Sequence, residues 1–469
     1  MSEIVATYNY TEEQLKFIEY PIKGQSIILN SCAGSGKTRC ATSRLQFLLK
    51  NGIDPKKIIF FSFTVAATKE LERRVNNPDI KITTIHGFCV GLLAQMKKMR
   101  TIVTFYDFIK WYKKTHEPKH NASQKDKNEF HLTVEEFYDN GEYLSAEFSA
   151  FKLQTADKIK CKLPDYFLEY QKFLKETKSI DFSDMLIQVR DALKEEKWLR
   201  LFRNRFDYIL VDEYQDTSSI MMSILLSLNA KQYCIIGDIS QSLYGYSGAN
   251  AYEIISMLKK RRETVELNLS INFRSAPEII ENSNKYSNIK AIPHHTFSGS
   301  VNKKLIIFDD LVKLLKESGD ITILCRTNQT IKDIEKRLMI MRIPLQYKHY
   351  LKESEIKDIK KSQEHYGTKR KINDLLPHFG TVDNIITFIE SQDTKNKIST
   401  IHKFKGLETT QTVLCNTIPK EILEYNNIKL PEEYVKYISF EDDDEESRNI
   451  HYVACSRAIK TIWFMVYTD

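Results

Sequence analysis

No stretch of the 469-residue chain reaches the ~18 consecutive apolar residues that a membrane-spanning helix needs. The opening segment "MSEIVATYNYTEEQ" lacks the charged-then-apolar pattern of a secretory signal. These absences predict an intracellular, soluble protein with no membrane partner, and leave cytoplasm and nucleus equally open. The eight cysteines, at positions 32, 40, 89, 161, 234, 325, 415 and 455, include no C-x-x-C pair and are scattered through apolar segments. That pattern argues against a zinc site and against a disulfide framework, and it reads the cysteines as reduced core residues. There is no internal repeat or low-complexity tract, which excludes a repeat array.

What is present is typical of a globular protein. Hydrophobic residues make up 42% of the chain, ample for buried cores, and the length suggests about three domains. A net charge of +7 supports a polyanionic partner only weakly. Local charge says more. Residues 94–128, "AQMKKMRTIVTFYDFIKWYKKTHEPKHNASQKDKN", mix Lys, Arg and His with Phe, Trp and Tyr. Such a mixture suits phosphate contacts with stacking, and equally a solvated helical face followed by a loop. The acidic run "EDDDEE" at 441–446 reads as a solvated loop.

The apolar run "SIILN" leads into "SCAGSGKTRC" at residues 31–40, and the leucines and phenylalanine that follow recur at helical spacing. A Gly-rich turn between a buried strand and a helix exposes several backbone N–H groups together, and the helix N-terminus adds partial positive charge to the same concavity. Phosphate suits that place: Lys37 reaches the outer phosphates and Thr38 offers its hydroxyl to Mg²⁺. The strict pattern G-x-x-x-x-G-K-[ST] fails at its first position, where residue 31 is Ser.

A second segment, "FDYILVDEYQDTS", ends an apolar run abruptly in acids. In open α/β sheets ligands bind at the carboxyl edge of the strands, so Asp212 and Glu213 are placed to arrive beside the phosphate loop. Asp212 then holds Mg²⁺, and Glu213 orients or deprotonates the attacking water. The alternative is an Asp-Glu pair that caps the next helix. A third strand, in "QYCIIGDISQSLYGYSGAN" (232–250), again ends in Gly-Asp, with Gln241 placed to sense the terminal phosphate and Tyr244 and Tyr246 in a Gly-rich turn.

The order and content of these segments resemble the UvrD/Rep/PcrA family of superfamily 1 DNA helicases. Gln14 in "YTEEQLKF" resembles that family's adenine-reading Gln, and "AGSGKTR" (33–39) its motif I, with Cys32 where the family has Gly. "FSFTVAATKEL" (61–71) resembles motif Ia and "ITTIHGFC" (82–89) motif Ib. "ILVDEYQDT" (209–217) matches motif II, "IIGDISQSLYGYSGA" (235–249) motif III, and "LNLSINFRS" (267–275) resembles motif IV. "HYLKESEIKD" (349–358) resembles the segment before the family's second insertion, "ISTIHKFKGLE" (398–408) matches motif V, and "EESRNIHYVACSRA" (445–458) motif VI.

The resemblance implies an α/β fold of two RecA-like parallel-sheet domains, with ATP and Mg²⁺ as cofactors. Residues 1–95 and 176–272 are expected to form the first domain, 96–175 a mostly helical accessory insertion, and 273–469 the second domain, with a short insertion near 359–395. Catalysis is assigned to Lys37, Glu213 and Gln241, with Arg274 and Arg457 as second-domain fingers on the γ-phosphate. Gln14, Gly34, Ser35, Gly36, Lys37, Thr38, Arg39, Phe273 and Glu408 are implied to hold the nucleotide, and Thr38 and Asp212 the metal. Phe273 stands where the family has an adenine-stacking Tyr. Phe63, Tyr244 and Tyr246 are assigned to base stacking, and Thr64, His86, Thr400 and His402 to the strand's backbone or bases. Val65 and Ala66 replace the Asn and Lys of family motif Ia. Tyr246 and Ser247 replace the Trp-Arg of motif III, and Ile239 and Ser240 its two central acids.

The function implied is an ATP-dependent, 3′ to 5′ single-stranded DNA translocase that unwinds tailed duplexes, with RNA left open as a substrate. The compact second insertion keeps a second reading in play: a DNA-stimulated ATPase that remodels protein–DNA complexes, or serves as a subunit, without robust unwinding.

Overall fold

The computed structural model describes residues 9–119, 121–156, 162–245, 248–360, 366–427 and 445–467. The chain divides into two compact units, Met1–Ile271 and Asn272–Asp469.

The first unit is built on strands β1 (Ser26–Ser31), β2 (Ile58–Ser62), β3 (Lys81–Thr84), β4 (Tyr208–Asp212), β5 (Gln232–Gly237) and β6 (Thr264–Leu269). They pair in the order β3-β2-β4-β5-β1-β6, every ladder parallel. Strands buried on both faces read as continuous apolar runs, because successive side chains enter different cores. Ile28, Ile59, Phe61, Ile209, Val211 and Ile235 face one core; Ile27, Leu29, Ile58, Phe60, Leu210 and Ile236 face the other. Fully buried Arg44 pins the helix Lys37–Lys50 to the sheet, donating to the carbonyls of Ile18 (3.0 Å) and Tyr20 and to Gln232 Oε1 (2.9 Å).

Between β3 and β4 the chain is helical. Helices Phe105–His116, Gln124–Ala156 and Phe167–Glu176 close around an aromatic core of Phe105, Phe108, Phe137, Phe148, Phe167, Tyr170 and Phe173. Phe105 and Phe108 of the basic–aromatic stretch therefore face inward, while Lys110 and Lys114 are exposed. Buried Lys152 ties the long helix to the start of helix Phe182–Ala192 through Asp181 (2.7 Å) and Asp184 (2.8 Å).

The two-residue strands β7 (Ile271–Asn272) and β8 (Ile292–Pro293) pair with each other. The second unit's main sheet comprises β9 (Ser300–Val301), β10 (Ile321–Cys325), β11 (Lys397–Thr400), β12 (Thr409–Cys415) and β13 (Ala458–Met465). Its order, β11-β10-β12-β13-β9, again all parallel, repeats the first sheet's β3-β2-β4-β5-β1 strand for strand. Helix Glu353–Lys360 falls mostly before residues 359–395, and helices Tyr366–Phe379 and Val382–Glu390 fall within them. Ile356, Ile372, Leu375, Phe379 and Ile385 lie in the same core as Ile323 and Val413, so these helices complete the second unit and do not stand apart from it. Among the described residues no helix is long and apolar enough to cross a membrane.

Candidate functional site

The β1 strand delivers the phosphate loop. Cys32 N–H still bonds the Leu269 carbonyl (3.0 Å) and its thiol bonds the Ser270 carbonyl (3.4 Å), so residue 32 extends the ladder and has no need of glycine's freedom. Burial, followed by the charge of Asp238, pushes this thiol up to about 12, which keeps it protonated. Gly34 (φ 71°) and Gly36 (φ 80°) take left-handed backbone, the conformation that turns successive N–H groups toward one side. Ser35 is buried, its hydroxyl bonded to the Cys32 carbonyl (2.9 Å). Thr38 and the exposed Arg39 lie on the first helical turn.

Gln14 is buried against this loop. Its side-chain N–H donates to the Ser35 carbonyl (3.1 Å) and its oxygen accepts from Thr11 N–H (3.1 Å), so the amide is held by the protein at both ends.

Facing the loop, β4 and β5 end in acids. Lys37 Nζ lies 3.3 Å from Glu213 Oε1. Burial acts to lower the ammonium pKa, but Glu213, Asp238 and Asp212 outweigh it and the net shift is upward, so Lys37 stays charged. Asp212 is pushed up to about 7, first by burial and then by the Glu213 carboxylate, with Lys37 opposing. Glu213 sits in left-handed backbone (φ 54°), its N–H bonded to Asp212 Oδ1 at 3.0 Å.

Two residues the sequence reading passed over organise these acids. Fully buried Gln215 donates to Glu213 Oε2 and accepts the Asp238 N–H (3.1 Å), spanning the ends of β4 and β5. Asp238 in turn accepts from Gln241 Nε2 at 2.7 Å and from Ser240 N–H at 3.1 Å. The signal was present in "DEYQD" and in the second strand-terminal acid, "GD", but a bridging role needs the pairing of β4 with β5 to be known. Gly237 has no room for a side chain: a Cβ there falls 2.7 and 2.9 Å from Tyr214 ring carbons.

On the same edge Phe63, 38% exposed, packs against Tyr244 with ring centroids 5.2 Å apart. Tyr246 and Ser247 lie outside the described residues. Thr64 spends its hydroxyl capping the helix Val65–Val75, accepting from Ala67 N–H at 3.1 Å. His86 packs edge-on against Phe182 at 5.3 Å, and burial lowers its pKa, which favours the neutral ring.

In the second unit, the expected finger arginines, Phe273 and Glu408 gather at one place. Arg274 Nε lies 2.7 Å from Glu408 Oε2, and its Nη1 is 3.5 Å from the Ser456 carbonyl. Arg457 is buried, donating to the carbonyls of Val453 (3.1 Å) and Leu407 (3.3 Å) and to Ser456 Oγ (2.9 Å). Its guanidinium is thus held within its own unit. Phe273 packs on His294 at 4.6 Å, a neighbour the sequence did not suggest. Thr400 is buried and caps the short helix Ile401–Phe404 through Lys403 N–H (3.2 Å); the half-buried His402 lies within that helix.

The model of the UvrD/REP helicase N-terminal domain matches residues 10–262, and that of the UvrD-like helicase C-terminal domain matches residues 354–469. A probable DNA helicase II homolog of Mycoplasma capricolum is 27% identical over 493 aligned positions, covering 90% of this chain and 67% of that protein. One from Rickettsia felis is 27% identical, with 68% and 54% covered. The ATP-dependent DNA helicase PcrA of Staphylococcus aureus is 25% identical, with 82% and 58% covered. The chain spans about half to two thirds of the length of these relatives. The two parallel sheets are RecA-like, and the chain belongs to the UvrD-like helicase family.

Proposed function

We propose that this chain is an ATP-dependent DNA helicase that moves 3′ to 5′ along single-stranded DNA. The observation that carries the reading is the convergence on one sheet edge of Lys37, Asp212 and Glu213, opposite a loop with two left-handed glycines. In this reading Lys37 neutralises the outer phosphates of ATP, and the loop N–H groups cradle them. Glu213 accepts the proton of the attacking water, held in place by Gln215, while Gln241 sits behind it on Asp238.

The charge balance fits a divalent cation. Asp212, Glu213 and Asp238 face Lys37, and the surplus negative charge with burial is what lifts Asp212 toward neutrality. Asp212 and Thr38 are the residues to hold Mg²⁺, which supplies charge neutralisation at the phosphates when bound. Gln14, Arg39, Phe273 and Glu408 complete the nucleotide contacts, with Phe273 stacking on the base. Arg274 and Arg457 serve as fingers. For Arg457 that role requires leaving its bonds to Val453 and Leu407.

The Phe63–Tyr244 pair, with Phe63 exposed, supports single-strand binding. Stacking on aromatic faces is tolerant of sequence, as a motor on any strand requires, and Tyr246 extends the same role. His86, neutral in its packed setting, and His402 complete the contacts to the strand. Thr64 and Thr400 contribute through the helix N-termini they cap, whose N–H groups suit phosphate. A second reading, a DNA-stimulated ATPase without robust unwinding, draws on the described helices between 353 and 390, whose Ile356, Ile372, Leu375, Phe379 and Ile385 are absorbed into the second unit's core.

One experiment tests both readings: strand displacement on 3′-tailed, 5′-tailed and RNA-containing duplexes with ATP and Mg²⁺, with ATPase measured in parallel. Unwinding of the 3′-tailed DNA alone is expected. ATPase stimulation without displacement favours the second reading, and ATPase indifferent to single strands refutes both.

A further inference from the structure

The first unit carries a concavity of about 380 Å³ that the proposed function does not use. Leu226 and Met257 form an apolar floor, and Arg190, Lys194, Lys260 and Arg261 stand around it. It lies away from the nucleotide edge. The helix Ser219–Ser227 runs back from the end of β4 to the start of β5, and Ala251–Arg261 runs back toward the start of β6, so their C-terminal turns sit at the amino edge of the sheet. At 1.5 Å per residue, nine residues of helix Ser219–Ser227 separate the two edges by about 13 Å.

Lysine and arginine are common in the last turn of a helix, where they complement its dipole. That accounts for Arg190, Lys260 and Arg261 singly, but not for Lys194, which lies past its helix, nor for all four around one apolar hollow. Asp191 pairs with Arg190 (3.1 Å) and Lys194 (2.8 Å). Lys260 and Arg261 are exposed and have no carboxylate partner among the described residues.

We propose that this hollow docks an acidic protein segment that carries a large apolar side chain, the carboxylates meeting the basic rim and the side chain seating on Leu226 and Met257. Charge complementarity fixes the sign of the partner, and the apolar floor fixes its class. A nucleic-acid strand needs phosphate contacts along a track and faces for its bases, and no aromatic side chain lines this hollow. Because the hollow lies at the opposite sheet edge from Lys37 and Phe63, an occupant leaves the nucleotide and strand contacts clear.

The test is fluorescence anisotropy with a fluorescein-labelled heptapeptide, three aspartates on each side of one leucine, against the full chain and its K260E/R261E variant. Both substituted residues are exposed, so the fold is expected to persist, and thermal melting checks this. Salt-sensitive binding of the peptide is expected, weakened about tenfold in the variant. A peptide with Ser for Leu should lose affinity comparably, while basal ATPase and affinity for labelled oligothymidylate should stay within about twofold. Three results overturn the proposal: no peptide binding at millimolar concentration, equal binding of the Ser peptide, or a variant that loses oligothymidylate instead of peptide. The last would mark a nucleic-acid track.

Discussion

Replacing Gly237 with Ala strikes the point where β4 and β5 are joined by side chains. The added Cβ falls inside contact distance of Gln215 Oε1 and 2.7 and 2.9 Å from the Tyr214 ring. Tyr214 cannot swing clear, because it is fully buried and its hydroxyl bonds Asn30 Oδ1 at 2.6 Å. Gln215 must therefore give way, and with it either the Asp238 N–H or the bond to Glu213. Leaving one such buried group unsatisfied costs about 1–3 kcal/mol, and overpacking adds about 1–3 kcal/mol, so G237A should destabilise by about 2–6 kcal/mol. ATPase should fall further than stability alone explains, since Glu213 loses its tether. Urea unfolding and ATPase rates of G237A, Q215A and the double variant form a cycle, in which the double variant should be at least about 1 kcal/mol more stable than additivity predicts. Strict additivity, or a G237A protein within about 0.5 kcal/mol of the parent, would refute the clash.

E213Q should bind ATP normally and lose about 10²-fold or more in turnover, because the geometry persists while the base is lost; equal losses in both, by titration and steady-state kinetics, point to a structural role. F63A should weaken single-strand affinity by roughly 5- to 150-fold and leave basal ATPase unchanged, and an unchanged oligonucleotide affinity removes the stacking role. Asp212 has its pKa raised to about 7, so between its ordinary value near 3.8 and 7 the folded chain holds a proton that the unfolded chain releases. Stability in chelator should therefore fall as pH rises through that window. The D212N protein should lack that slope in denaturant titrations at pH 5 and pH 8.

The strands were legible because burial on both faces leaves continuous apolar runs such as "IIFFS" and "YILVD", and the acids at their ends mark the carboxyl edge. Lys37 could be placed beside Glu213 on chemistry alone. The tethers could not: Gln215 and Asp238 act across a strand pairing that no local pattern encodes. The hydroxyls of Thr64 and Thr400 each cap a helix, a role that a Thr just ahead of a helix signals in the sequence and that is compatible with N–H groups left to meet a strand. The inward packing of Phe105 and Phe108 was likewise hidden, because a basic–aromatic stretch has the same composition whichever way its rings point.

The repeated strand order has a consequence for stoichiometry. The residue after β4 is Glu213, left-handed at φ 54°; its counterpart after β12 is Asn416, left-handed at φ 48°. The same turn recurs, but Asn416 uses its amide to accept from Tyr467 N–H (2.8 Å) and to donate to the Tyr467 carbonyl (2.8 Å). Where β1 runs into a glycine-rich loop, β9 runs into Asn302 and Lys303. In the first copy this turn carries a carboxylate beside Lys37, and in the second it is bonded to the residue just past β13. Equilibrium dialysis at saturation should accordingly count one nucleotide per chain.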